Sequence, residues 1–248
     1  MPLEVVKLAV SIEGKRVLNE VTLKVDRGRI LAVMGPNGSG KTSLLYTIMG
    51  HPRYKIIEGD VLLDGESIKE LPPHERARRG IMLGFQNPVE IPGVKLSTLM
   101  LAAWNKLSGK SDLLKLDPRF SSEVEKLREV VGLARELLYR EVNVGFSGGE
   151  RKRSEVLQIL ALKPRYVLLD EPDSGLDIDG VRTIARAVDI MRDEGRGILL
   201  VTHYARILEY VEPDEVVVLV GGRVVDRGGP ELALKVEREG YSAYVSGN

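Results

Sequence analysis

The most constraining stretch of this chain is a strand-like run, Arg29 to Met34, that breaks into Gly35-Pro36-Asn37-Gly38-Ser39-Gly40-Lys41-Thr42 and resumes as a helical pattern to Met49. A short run of near-continuous apolar character reads as a strand buried on both faces, the mark of a parallel sheet covered on each side. The glycine spacing and the Gly-Lys-Thr ending match the P-loop pattern in full, and in the required place between a strand and a helix. Glycines there let successive N–H groups converge on a phosphate with no Cβ in the way. The helix adds the positive end of its dipole. Lys41 would reach the β- and γ-phosphates, and the Thr42 hydroxyl would ligate Mg²⁺. A glycine-rich turn alone can be purely structural; the Lys-Thr ending in this context makes it a nucleotide site.

A second strand-like run, Tyr166-Val167-Leu168-Leu169-Asp170-Glu171, ends in two carboxylates. At the carboxyl end of a strand beside the P-loop, Asp170 is placed to hold Mg²⁺. Glu171, one residue farther out, is placed to polarise a water for attack on the γ-phosphate.

Other segments set these two in a frame. Glu4 to Val10, Glu20 to Val25, Gly59 to Leu63, Gly197 to Thr202 and Glu215 to Val220 read as strands, with helical stretches such as Gly180 to Arg192 between the later ones. Asp64-Gly65 is a turn signal, and Gly221-Gly222 before Arg223–Val225 predicts a hairpin. Alternation of strand and helix predicts an α/β fold with a mostly parallel sheet. From Leu96 to Leu162 the periodicity is helical, interrupted at Asp117-Pro118 and at Asn143 to Phe146, which predicts a helical insertion. Glu231 to Glu239 reads as a helix stopped by Gly240, with Tyr241 an aromatic anchor, and the last residues, Ser246 to Asn248, as a frayed end.

Composition then removes whole classes of function. Lys plus Arg equals Asp plus Glu, at 36 each, so no global charge draws the chain to nucleic acid. No apolar run approaches the roughly 20 residues of a spanning helix, and the first residues lack a signal-peptide core. A cytoplasmic protein without direct membrane insertion is expected. With no cysteine, the chain offers no thiolate to a metal or an iron–sulfur cluster.

Four further segments bring in a family. Phe146-Ser147-Gly148-Gly149-Glu150 resembles the signature loop of the ABC ATPases, Ser174-Gly175-Leu176-Asp177 their D-loop, Gln86 their Q-loop glutamine and His203 their switch histidine. The resemblance covers nearly the whole chain. It implies the ABC ATPase fold: one domain, 1–248, with a core lobe of 1–87 and 164–248, an N-terminal antiparallel β region and a helical subdomain at about 88–163. It also implies that Gly35 to Thr42 hold ATP, while Ser147, Gly148, Gly149 and Glu150 contact the nucleotide of a second copy, paired head-to-tail when ATP is bound. Gln86 joins Thr42 and Asp170 at Mg²⁺, and Gln86, Glu171 and His203 act on the γ-phosphate. An isolated chain is expected to hydrolyse ATP slowly. One feature departs from the pattern: Ser11 to Val17 carries no aromatic residue to stack on adenine, which predicts weak discrimination between ATP and GTP.

Within that family, Gly84-Phe85-Gln86-Asn87-Pro88-Val89-Glu90-Ile91-Pro92-Gly93-Val94, Asn143 to Arg153, Asp170 to Asp179 and Thr202-His203-Tyr204 resemble the SufC ATPases of the SUF iron–sulfur cluster assembly machinery. That resemblance implies SufB- and SufD-like scaffold proteins as partners. Pro88 and Pro92 restrict the Q-loop backbone, and Val89, Ile91 and Val94 offer apolar contact to a partner. The alternative is a nucleotide-binding subunit of an ABC transporter, with the same ATP chemistry and membrane-spanning partners.

Overall fold

A computed structural model describes residues 2–203 and 205–245. The expectations for Tyr204 and for the frayed end at 246–248 lie outside the described residues. The chain opens with a hairpin of β1 (Leu3–Ile12) and β2 (Lys15–Val25), continued by β4 (Lys55–Leu63) and β5 (Glu66–Ser67) into a four-stranded antiparallel sheet of order β2-β1-β4-β5. The second sheet holds β3 (Ile30–Met34), β6 (Ile81–Gly84), β9 (Tyr166–Asp170), β10 (Gly197–Thr202), β11 (Glu215–Val220) and β12 (Arg223–Gly228). Its order is β12-β11-β3-β10-β9-β6, parallel throughout except for the antiparallel β12.

Strand period fixes which side each residue covers. In β3, Ile30, Ala32 and Met34 face one core while Leu31 and Val33 face another. The first core is filled by α5 (Gly148–Leu162), α6 (Ile178–Asp193) and α7 (Pro230–Glu239); the second by α1 (Lys41–Met49) and the antiparallel sheet. Both faces of the parallel sheet are therefore dry, which is why its strands read as unbroken apolar runs.

The P-loop helix α1 is anchored at its far end by a buried arginine. Arg76, on α2 (Pro73–Arg78), donates to the carbonyls of Thr47 and Ile48 at 2.9 and 2.8 Å, and to those of Leu71 and Lys69. A cation on the C-terminal carbonyls of α1 complements the dipole whose positive end faces the phosphate cradle.

Between Leu96 and Leu162 lie α3 (Leu96–Leu107), α4 (Pro118–Val130) and α5, with Asp117 capping α4 through the amides of Arg119 and Phe120. This is the helical insertion expected from sequence. A feature the sequence did not suggest is the small ribbon of β7 (Ile91–Lys95) and β8 (Glu141–Val142), which ties the start of that insertion to the segment between α4 and α5. Among the described residues, no helix is long and apolar enough to cross a membrane.

Candidate active site

The phosphate cradle forms where β3 ends, and its glycines are fixed by neighbours. A Cβ on Gly35 would lie 2.1 Å from the Leu219 carbonyl oxygen, and Gly40, at φ 105°, packs against Leu18. Only glycine fits either place. The hairpin turn at Gly222 ties the loop down, accepting from the Asn19 amide at 2.8 Å and donating to the Ser39 carbonyl at 2.9 Å. Helix α1 starts at Gly40 with no side-chain cap, so its first amides are open to an anion.

Over this loop lies a cleft of about 610 Å³ lined by Lys15, Arg16, Val17, Asn37 to Ser43, Gln86, Glu171 and the Gly221-Gly222 turn. Val17 is the aliphatic residue of that lining, with Lys15 and Arg16 before it in the chain. Lys41 Nζ donates to the carbonyls of Gly35 and Pro36 at 2.7 and 3.0 Å, and burial pulls its pKa below that of an ordinary lysine.

The donor set for Mg²⁺ is two hard oxygens. Thr42 Oγ1 is 3.3 Å from Asp170 Oδ1, while the buried Asp170 Oδ2 has no hydrogen-bond partner. Burial raises the Asp170 pKa, with the Thr42 hydroxyl opposing. An orphaned carboxylate oxygen beside a hydroxyl fits a magnesium ion that takes its remaining ligands from water and phosphate. Among the described residues no cluster of three or more His, Cys, Asp or Glu could hold a metal by itself.

Glu171 is the centre of a three-residue contact. Its Oε2 accepts from Gln86 Nε2 at 2.7 Å, and its Oε1 lies 3.0 Å from His203 Nδ1. Its backbone is left-handed, at φ 46°, and is held there by its own amide, which donates to the Val201 carbonyl at 2.9 Å, and by Lys152 Nζ, which donates to its carbonyl at 3.2 Å. For a non-glycine residue this conformation is strained by about 1–3 kcal/mol. Tyr241, expected only to pack, also reaches this edge: its hydroxyl donates to the His203 carbonyl at 3.4 Å.

Ser147, Gly148, Gly149 and Glu150 are not brought to this cleft. They form the start of α5, where Ser147 Oγ accepts from the Glu150 amide and Glu150 Oε2 accepts from the Ser147 amide, at 3.3 and 2.7 Å. This capping box holds the Glu150 carboxyl below the usual range, chiefly through the Ser147 amide. It also engages the carboxylate that the sequence reading assigned to nucleotide contact. Ser147 and Gly148 are exposed, as are Ser174, Gly175 and Ile178 nearby in the chain's other loop.

Two connections were invisible in the sequence. Asn143 Nδ2 donates to the Val89 carbonyl at 2.8 Å, and Arg151 pairs with Glu90 at 2.6 Å. The segment after Gln86 is thus fastened to the segment around the signature loop.

Known proteins resemble this chain over nearly its whole length. The family model described as ABC transporter matches residues 18–174. A probable ABC transporter ATP-binding protein of Streptococcus pyogenes serotype M3 is 45% identical over 97% of this chain and 93% of its own length. The probable ATP-dependent transporter ycf16 of Cyanophora paradoxa is 43% identical over 96% of this chain and 93% of its own. Among solved structures, an ATP-binding subunit of an ABC transporter superposes with a TM-score of 0.80 at 25% identity, covering 99% of both chains.

Proposed function

This chain belongs to the ABC ATPase family, and within that family we propose that it drives conformational change in SufB- and SufD-like scaffold proteins during iron–sulfur cluster assembly. ABC ATPase domains generally dimerise head-to-tail, and the chain is an ATPase of that kind. In the proposed cycle the amides of the P-loop and Lys41 hold the β- and γ-phosphates of one ATP. The partner copy's signature loop closes on the same γ-phosphate. Thr42 and Asp170 would hold Mg²⁺, which supplies charge neutralisation to the phosphates when bound.

Glu171 would exchange its bond to Gln86 for a water, orient it in line with the γ-phosphate and accept its proton as the bond to the leaving oxygen breaks. His203, beside Glu171, would hold the γ-phosphate. Release of phosphate then reopens the pair.

The observation that carries the scaffold reading is the fastening of the Q-loop to the signature segment, through Asn143–Val89 and Arg151–Glu90. Val89, which is 60% exposed, tops that junction, so a partner pressing there would touch both halves of the catalytic machinery at once. The names of the relatives favour a second reading, a transporter's ATP-binding subunit.

A tagged Glu171→Gln chain, recovered with ATP from soluble and membrane fractions of its host, separates the two. Soluble SufB- and SufD-like scaffolds are expected. A polytopic membrane protein instead would leave the ATPase standing and move the function to transport.

A further inference from the structure

The strand that delivers Gln86 is gripped from the side of the signature helix. Lys152 and Glu155 stand three residues apart on α5, hence on one face, and both are buried. They close on the backbone of one residue. The Phe85 amide donates to Glu155 Oε1 at 2.8 Å, and the Phe85 carbonyl accepts from Lys152 Nζ at 2.9 Å. Strand β6 ends at Gly84, so these side chains take over where the ladder stops. Gly84 itself makes room: a Cβ there would lie 3.1 Å from Leu169 Cδ2 and 3.5 Å from Glu155 Oε2.

A carboxylate in this place is costly. Val156, Leu157 and Ile159 beside it fill the core without one, and burial raises the Glu155 pKa to about 7 against the opposing Phe85 amide and Lys152. Core packing would be served by an apolar side chain. What an apolar side chain would not supply is an acceptor for the Phe85 amide, one residue before the glutamine that touches Glu171.

We propose that Glu155 is a positioning residue for ATP hydrolysis, which fixes the Phe85 backbone to the signature helix and thereby sets where Gln86 meets Glu171. Movement of the signature loop, eight residues upstream on the same helix, is then transmitted to the attacking-water site through the Phe85 backbone. The inference rests on Gln86 and Glu171 acting in hydrolysis, as read above, and applies whichever partner the ATPase drives.

The test is steady-state ATP hydrolysis by the full chain and its variants, alongside thermal unfolding. Glu155→Met should lower kcat about tenfold or more and leave KM for ATP within about twofold, because the phosphate cradle is untouched. Glu155→Gln, which keeps an oxygen for the Phe85 amide, should restore most of kcat. In the Gln86→Ala background, Glu155→Met should add little, since both changes act through one side chain. If Glu155→Met does not fold, Glu155→Ala reads the same split without inserting apolar bulk. Native kcat in a folded Glu155→Met or Glu155→Ala chain, or a loss that simply multiplies that of Gln86→Ala, would overturn the proposal. Native turnover in Gln86→Ala would strike the role of Gln86 itself, and with it this route of action.

Discussion

The P-loop cleft and the signature loop are the two regions proposed to handle nucleotide, and they are built in opposite ways. The cleft is assembled from five segments that meet in the core: Gly35 and Gly40 are closed in by neighbours, Lys41 is buried, and Glu171 is held in a left-handed backbone by bonds from two directions. The signature loop is one turn of one helix, its polar groups satisfied by its own capping box, with Ser147 and Gly148 open to solvent. One half is a rigid receptor; the other is a finished surface with no local substrate. In the proposed cycle a second copy supplies the missing half, and the strained backbone lies in the half that would carry the chemistry.

The largest effect should fall on the rigid half. Glu171→Gln removes the proton acceptor and should slow phosphate release by about 10²–10⁴-fold, with ATP still bound as judged by filter retention. Loss of binding together with turnover would make Glu171 a structural residue and erase the distinction drawn above.

Mixing sharpens the same comparison. Lys41→Met and Ser147→Arg chains should each be nearly inactive, yet an equimolar mixture should regain roughly a quarter of the native rate, because half of the pairs are mixed and each mixed pair carries one intact composite site of its two. Absence of any recovery would mean that both loops act within one chain.

A smaller effect is expected on stability. The Glu155 carboxyl in the folded chain has a pKa of about 7, raised by burial and by Asp170 and lowered by Phe85 and Lys152. A folded pKa above the unfolded one means the native state binds this proton more tightly. Its contribution is therefore greatest below about pH 4.5 and is lost as pH rises through 7. Between pH 5 and 8 the native chain should lose about 2–3 kcal/mol relative to Glu155→Gln in urea unfolding. Parallel pH curves for the two would show the carboxyl to be ionised throughout.

The smallest effect concerns the base. The residues that line the cleft include no aromatic one, so adenine bound there would gain no aromatic stacking. ATP and GTP should compete within about tenfold of each other, since an aromatic contact is worth roughly 1 kcal/mol. A hundredfold preference for ATP would require a base contact absent from this cleft.

Much of the rigid half was legible in the sequence because its signals are local. The P-loop pattern and 3.6-residue periodicity placed helix Lys41–Met49 to the residue, and β10 and β11 emerged as unbroken apolar runs. The links between segments were not legible. Ribbon strand Ile91–Lys95 contains Pro92 and Gly93, which read as breakers, and its partner is two residues long and about fifty positions away. Glu155 follows Arg151-Lys152-Arg153, a charge run that ordinarily marks a solvated face; only the fold shows Lys152 and Glu155 turned inward. Arg76 has no sequence signal either: it is buried in a short helix between Glu75 and Arg78, and only the fold sets it on the end of α1. The left-handed backbone of Glu171 has no sequence signal, since glycine or asparagine is the usual occupant.

The division of the site is tested most directly by the mass of the Glu171→Gln chain in solution, by sedimentation, with and without ATP and Mg²⁺. The account predicts a 27.4 kDa species without nucleotide that pairs on adding ATP, and fails to pair when Ser147→Arg is introduced as well. A chain that binds ATP and stays single at every concentration tested, while the native chain turns over at a rate linear in protein, would contradict it.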